Sequence, residues 1–173
     1  MNSLTSQKLS VIYTLPSKLK VTNEKNKNSN TISEEKLIRC LIVSNLLAIH
    51  QKTGIGRLSA YCGAVTAGAA CAAAITYMKG GSYEQVCGTI VNTLGTVSGI
   101  LCDGAKQSCA AKIAAALDSA LFSHELAMDG NFFAGGDGVV KDDIEKTIAG
   151  IGVVAAQGMH KTDEVVLQVM LKD

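Results

Sequence analysis

The sequence predicts an all-α domain, and its composition is the first reason. Of the 173 residues, 47% are hydrophobic but only 4% are aromatic, and 17 glycines stand against one proline and no tryptophan. Many alanines and glycines with so few aromatic residues are typical of tightly packed helices rather than of a β-sandwich. A chain of this length is the size of one domain and can bury a real core. We therefore expect a compact bundle of about five to six helices.

Charge and cysteine content narrow the class of protein further. Charged residues make up 18% of the chain and the net charge is only +1, which excludes a disordered polyelectrolyte and argues against a nucleic-acid binder. Residues 1–30 contain no continuous apolar stretch and no small-residue cleavage site, so we predict no signal peptide and a cytoplasmic location. In a reducing compartment the six cysteines are more often thiols or metal ligands than disulfides.

A short irregular arm is predicted over residues 1–31, separate from a helical domain over residues 32–173. Val11–Leu15 fits one short strand that Pro16 ends. Asn23–Thr31 is a polar run with nothing to bury, which is typical of a mobile loop.

The first helix is predicted from Thr31 to about Gln51. Thr31 and Glu34 fit a capping box, in which the hydroxyl and the carboxylate bond to otherwise unpaired amides. Beyond them, residues suited to a buried face recur at helical spacing: Leu37, Cys40, Leu41, Ser44 and Ala48.

Leu58–Met78 is predicted to be the central helix. The whole stretch carries no charged residue, so a bilayer span is the alternative. Eight alanines and two glycines make its transfer into lipid weak, which favours a buried helix. Gly80 and Gly81 end it, and small residues form a stripe that lets a neighbouring helix come close: Gly63, Ala67, Cys71 and Ala74.

The next helix is predicted over Ser82–Ile100, with Ser82 as its cap. Three glycines interrupt it: Gly88, Gly95 and Gly99. Because each glycine inside a helix costs roughly 1 kcal/mol, we expect another part of the chain to pack very near this backbone.

Three more elements complete the predicted bundle. Ser108 is predicted to cap a helix over Cys109–Ala127, with an apolar face made of Ile113, Leu117 and Leu121. Asp129–Gly138 is a glycine-rich connector with no preceding strand, so it is no nucleotide-binding loop. Asp142 or Asp143 begins a helix through Gln157, and a short last helix begins near Thr162.

Cys102 and Cys109 flank a short loop between two predicted helices. Cys109 lies in a first helical turn, where free amides favour an anionic ligand such as a thiolate. The C-x6-C spacing alone is weak evidence for a metal site. Cys62, near the start of the central helix, strengthens the evidence for a metal site, because an antiparallel helix pair would bring Cys102 back towards Cys62. Three cysteines at helix ends could then converge.

The other cysteines and the histidines give no comparable signal. We expect ordinary buried thiols at Cys40, Cys71 and Cys87. No pair of histidines has the spacing of a metal site, so no ligand or base is assigned among His50, His124 and His160.

Three stretches carry a resemblance to a known family: IGRLSAYCGAV, IVNTLGTVSGILCDGAKQSCAAKI, and DDIEKTIAGIGVVAAQGMHKTDEVVLQVML. They resemble the C-terminal part of the L-cysteine desulfidase family, which is related to the alpha part of iron–sulfur L-serine dehydratases. The likeness runs from about Ser33 to Leu171. CDGAK-x-SCA-x-K and GRLSA-x-CG are its most specific motifs.

The resemblance implies a [4Fe–4S] cluster held by Cys62, Cys102 and Cys109, with one iron left as an open Lewis acid. It implies β-elimination from an amino acid, giving pyruvate, ammonia and sulfide from L-cysteine, or pyruvate and ammonia from L-serine. Arg57 and Lys106 are candidates for contacts with the substrate carboxylate or with the charge of the cluster, and Asp103 could orient Lys106 or contact the substrate. The alternative is a solvated charge near a helix end for Arg57 and Lys106, and simple loop solvation for Asp103.

The chain also departs from that family, whose members are much longer. The N-terminal region that completes their active site, with the expected base, has no counterpart here, so we expect a C-terminal fragment or a split subunit with little activity alone. Its partner would be an N-terminal subunit or a second copy, with no nucleic acid or membrane involved. The alternative is a non-catalytic helical remnant. In either case, exposed apolar helix faces are expected.

Overall fold

The computed structural model describes residues 32–172, and it is an all-α bundle, as predicted. Six α-helices follow one another: α1 (Glu34–Ile55), α2 (Gly63–Met78), α3 (Tyr83–Val97), α4 (Gln107–Met128), α5 (Ile144–Val153) and α6 (His160–Met170). A π-helical turn, Val154–Gly158, joins the last two. The predicted arm over residues 1–31, with its short strand, lies outside the described residues.

Helix α2 is the centre of the bundle, as its composition predicts. It packs against α1, α3 and α4. Its alanines are closely covered; Ala69, Ala70, Ala72 and Ala73 are fully buried. No helix in the described part of the chain is both long and apolar enough to cross a bilayer.

The central helix begins at Gly63, later than predicted. The segment before it instead pairs with the segment that follows α3. Tyr61 and Leu101 form an isolated antiparallel β-bridge. The Cys62 amide donates to the Ile100 carbonyl at 3.0 Å, and the Cys102 amide donates to the Ala60 carbonyl at 2.6 Å. These backbone bonds replace a first helical turn.

Helices α2 and α4 lie side by side and run in the same direction. Near the middle of α2, a Cβ added at Gly68 would lie 3.1 Å from the Ala116 carbonyl oxygen of α4. Further along both helices, Thr76 Oγ1 lies 2.8 Å from His124 Nδ1. The N-termini of α2 and α4 therefore meet at one end of the bundle.

The predicted starts of α1 and α4 are also wrong by a few residues. Ser33 caps α1 by accepting from the Lys36 amide, and the helix continues to Ile55. Helix α4 begins at Gln107 after Lys106, with no side-chain cap, so Ser108 lies inside its first turn rather than before it.

Other predicted boundaries are confirmed. Ser82 and Gln85 form a capping box at the start of α3. Gly80 ends α2 in a left-handed conformation, with φ at 84°. Asp143 caps α5 by accepting from the Lys146 amide. The last helix is an exception, because it begins at His160, before its predicted start near Thr162.

The expected close approach to the glycines of α3 is confirmed at two of them. A Cβ added at Gly88 would lie 2.2 Å from the Phe132 ring, and one at Gly95 would lie 2.8 Å from the Phe133 ring. Asn92, fully buried between them, donates to the Asn131 carbonyl and accepts from the Phe133 amide, both at 2.9 Å. The Asp129–Gly138 connector is thus fixed on α3. Gly99 has no such neighbour.

Candidate functional site

The three cysteines singled out in the sequence border one cleft. It opens between the N-terminal halves of α2 and α4 and has a volume of about 530 Å³. Its walls are apolar apart from sulfur, and the small side chains of α2 leave the space open. The lining residues are Cys62, Gly63, Ala64, Ala67, Gly68, Cys71, Cys102, Cys109, Ile113 and Leu117. We call this space the thiol cleft.

The β-bridge positions two of the cysteines. Cys62 is the N-cap of α2, and Cys102 follows Leu101 on the paired segment. The Tyr61 hydroxyl lies 3.3 Å from Ser98 Oγ. Burial raises the pKa of Tyr61 to about 12, so its hydroxyl stays protonated at neutral pH. Since Cys62 bonds to Ile100 and Cys102 bonds to Ala60, the backbone holds the two cysteines as diagonal neighbours across the bridge.

An ion pair ties Cys102 to the helix that carries Cys109. Lys112 Nζ donates to Asp103 Oδ1 in a short contact. Asp103 follows Cys102, and Lys112 lies one turn after Cys109 on α4. The hydrogen bond with Asp103 raises the pKa of Lys112, and the same bond lowers the pKa of Asp103. The pair spans the loop between the two cysteines and limits how far it can open.

Lys112 is the residue that sequence reasoning missed. It is the last residue of the CDGAK-x-SCA-x-K motif, and its i, i+3 spacing from Cys109 puts both side chains on one side of α4. That spacing alone could have indicated Lys112 as a neighbour of Cys109. The partner of Asp103 is Lys112, whereas Lys106 is exposed at the start of α4.

Arg57 lies on a second cleft that neighbours the first. This cleft, of about 550 Å³, opens between the end of α1 and the start of α2, and Lys52 and Arg57 are among its lining residues. Gly63 and Ala67 line both clefts. We call the second space the basic cleft. The three electrostatic candidates are therefore divided between the loop of the thiol cleft and the rim of the basic cleft.

Cys71 corrects an expectation from the sequence. The prediction of a buried thiol is wrong here, because Cys71 is exposed and lines the thiol cleft two turns beyond Gly63. The reason is that α2 buries most of its alanines in the bundle and turns Gly63, Ala67 and Cys71 outwards. Cys40 is buried and Cys87 is half-buried; burial raises the pKa of Cys87 to about 11.

The histidines lie in other surroundings. His124 is buried beside Thr76, and His50 Nε2 lies 2.7 Å from Glu145 Oε2 between α1 and α5. His160 is exposed on α6. None of them lines the thiol cleft or the basic cleft.

The donor set of the thiol cleft has a definite chemistry. Within residues 32–172 no three His, Cys, Asp or Glu side chains are grouped so that they could hold a metal ion. An iron–sulfur cluster makes a different demand, because its thiolate ligands bind separate irons around a shared volume. Four thiols line this one apolar space, those of Cys62, Cys102 and Cys109 together with that of Cys71. No carboxylate or imidazole is among the lining residues, which suits that demand.

Comparison with known proteins identifies the family of the chain. The model of the serine dehydratase alpha chain family matches residues 10–168. The chain belongs to the serine dehydratase alpha chain family. This match confirms the relation to serine dehydratases that the motifs indicate. No solved structure matches the chain.

Several curated relatives share the name UPF0597 protein. The chain is 98% identical over 144 residues to one from Treponema denticola, covering 83% of the chain and 33% of the relative. It is 56% identical over 140 residues to one from Lachnoclostridium phytofermentans, covering 81% of the chain and 34% of the relative. It is 50% identical over 154 residues to one from Fusobacterium nucleatum, covering 89% of the chain and 35% of the relative. The chain thus spans about a third of the length of these relatives.

Proposed function

We propose that this chain is the cluster-binding part of an L-cysteine desulfidase or L-serine dehydratase-like lyase of the cytoplasm. The observation that carries the proposal is the convergence of Cys62, Cys102 and Cys109 on one apolar cleft. They come from three separate places in the sequence, before α2, after α3 and in the first turn of α4. Membership of the serine dehydratase alpha chain family supports the reaction class.

Cys62, Cys102 and Cys109 would hold a [4Fe–4S] cluster. When bound, such a cluster supplies an open iron as a Lewis acid for β-elimination from an amino acid. The products expected are pyruvate and ammonia from L-serine, and pyruvate, ammonia and sulfide from L-cysteine. Membership of the serine dehydratase alpha chain family does not choose between these two substrates.

The chain's own side chains would prepare the site. The β-bridge fixes Cys62 beside Cys102, and the Asp103–Lys112 ion pair keeps Cys102 near α4. Lys112 adds a positive charge next to the thiolates, which reduces their mutual repulsion. Lys106 and Arg57 are exposed and can meet a substrate carboxylate, as sequence analysis suggests.

A general base is the missing part of this proposal. Neither His50 nor His124 lines the thiol cleft, and the buried Tyr61 hydroxyl stays protonated. We propose that the base comes from a polypeptide segment outside this chain, as the length of the relatives allows. The chain alone would then turn over amino acids slowly at most.

Anaerobic purification with iron and sulfide assays tests the cluster. We expect about four irons per chain and a broad visible absorbance, both lost in Cys62→Ala, Cys102→Ala and Cys109→Ala. Cys40→Ala is the matched control, because Cys40 is a buried thiol on α1 that does not line the cleft. Cys71 does not suit this purpose, since it lies on the cleft wall.

Two results would contradict the proposal. A colourless, iron-free wild-type protein that also fails to take up iron and sulfide would leave a non-catalytic helical subunit. Iron binding that survives all three substitutions would assign the metal elsewhere. Pyruvate release from L-cysteine or L-serine at the rate of a complete enzyme would contradict only the claim that the base lies outside the chain.

A further inference from the structure

We infer that the thiol cleft and the basic cleft together form one docking surface for an apolar helix with an acidic flank. That helix belongs to the polypeptide which the relatives carry beyond the matched third of their length. The inference rests on the proposed function, since the docked helix would cover the cysteines. The structural evidence for the surface comes from the exposed faces of α1, α2 and α4 and does not depend on the cluster.

The exposed edge of α2 is the middle of this surface. The helix carries no charged residue, and an α-helix that is apolar all round is normally covered on every side. Yet Gly63, Ala67 and Cys71 are exposed, at positions i, i+4 and i+8. Such small residues at four-residue spacing let the backbone of another helix come close.

The wall contributed by α4 is unusually apolar on its outer side. This helix buries alanines against the bundle, including Ala116 and Ala120, both fully buried. Its larger apolar side chains face away, and Ile113 is 53% exposed. The apolar face that the sequence predicts for this helix is not packed in the core: Ile113 and Leu121 are exposed and Leu117 is half-buried. These side chains instead line the thiol cleft or flank it.

The basic cleft adds positive charge to this surface. Lys52 and Arg57 line the basic cleft, and both are exposed. Beside an apolar floor of Ala48, Ile49 and Ala67, the two cations would attract acidic side chains along one flank of the incoming helix. A second copy of the same basic edge would be repelled there, which favours a different polypeptide over self-association.

The length of the relatives indicates where such a helix comes from. The chain covers 33% of the Treponema denticola relative, so most of that protein lies outside the nearly identical part. A surface of two adjoining clefts, of about 550 Å³ and about 530 Å³, can seat one helix of that polypeptide. The same helix would exclude water from the thiol cleft.

Co-expression tests this surface. The unmatched two thirds of the Treponema denticola relative would be tagged and co-expressed with the complete chain, and the complex would be isolated and measured by size-exclusion chromatography. We expect a complex with one copy of each chain. Ala67→Trp should weaken it about ten-fold or more, because the indole would occupy the edge that the two clefts share. Lys52→Glu with Arg57→Glu should weaken it several-fold and reduce its dependence on salt.

The controls separate this inference from the proposed function. Ala134→Trp places the same side chain at an exposed position that lines neither cleft, so it should leave binding unchanged. The wild-type chain purified in air should also bind normally, since docking does not need iron. Circular dichroism checks that each variant keeps its helix content, with Ile113→Asp as a second disrupting variant.

Three outcomes would overturn the inference. The first is that no complex forms on co-expression. The second is that neither Ala67→Trp nor Ile113→Asp weakens the complex. The third is that the chain pairs with itself through this surface, so that Ala67→Trp breaks a homodimer instead. In each of these cases the iron assay of Cys62, Cys102 and Cys109 still decides the cluster independently.

Discussion

The two ends of the α2–α4 pair are built in opposite ways. At the C-terminal end, Thr76 Oγ1 lies 2.8 Å from both His124 Nδ1 and Thr89 Oγ1, so the three side chains form one buried polar network. At the N-terminal end the same two helices separate around the thiol cleft. The helices therefore gain their stability at one end and keep open space at the other. Substitutions at the two ends should differ accordingly.

The largest effect is expected at His124. His124→Ala removes a buried side chain and a hydrogen-bond partner of Thr76, which should lower the free energy of unfolding by about 2–4 kcal/mol. Urea denaturation followed by circular dichroism measures the change. His160→Ala is the matched control, because His160 is exposed, and it should shift stability by less than about 0.5 kcal/mol. Equal effects of the two substitutions would show that the polar network does not stabilise this end.

Glycines near the two ends of α2 give the next test. A Cβ added at Gly81 would lie 2.6 Å from Thr76 Cγ2 and 2.9 Å from the Thr76 carbonyl oxygen, whereas one at Gly63 meets nothing within 4 Å. Gly81→Ala should therefore cost about 1–3 kcal/mol in unfolding free energy. Gly63→Ala should be neutral within about 0.5 kcal/mol. Thermal unfolding of both variants would sharpen the contrast, and a destabilised Gly63→Ala would break it.

A smaller effect is expected in the alkylation rates of Cys71, which lines the thiol cleft, and Cys87, which does not. In iron-free protein at pH 8, exposed Cys71 should react with iodoacetamide at least about ten-fold faster than Cys87, because burial holds the pKa of Cys87 near 11. Since only the thiolate reacts, the rate at Cys87 should go on rising up to about pH 11. Peptide mass spectrometry of timed samples measures both rates. A Cys71 thiol that resists alkylation would place it inside the bundle after all.

The smallest effect concerns the ion pair at the rim of the thiol cleft. Lys112→Gln removes the tie between Asp103 and α4, so the loop between Cys102 and Cys109 opens more easily. Iron loss to a chelator should become about two- to five-fold faster, as expected for an exposed pair. Lys106→Gln, an exposed position on the same loop, should leave the rate unchanged. Equal rates in all three proteins would mean that the pair does not hold the cysteines together.

Much of the fold follows from the sequence because its signals are local. The alanine content of the central helix, the capping box at Ser82 and the glycine stop at Gly80 each act over a short stretch of chain. The glycines of α3 even indicate a close neighbour. They do not say that the neighbours are Phe132 and Phe133, because that pairing depends on a connector beyond the whole of α4.

The site is predicted in its residue types but not in its surroundings. The motif spacing suggests that Cys62, Cys102 and Cys109 could converge, and all three line one cleft. The exposure of Cys71 is not predictable, since it depends on which side of α2 the alanines pack. The outward orientation of Ile113 has the same origin. A helix with two apolar faces does not reveal from its own periodicity which face the bundle uses.

The β-bridge between Tyr61 and Leu101 also sets an order of events in time. Its two segments are separated in the sequence by all of α2 and α3, and they meet only when these helices have folded back on each other. Closing so long a loop gains little until those helices pack. Cys62 and Cys102 therefore become neighbours late in folding. Any cofactor that needs both of them would be loaded into a folded chain, and would not guide the chain to its fold.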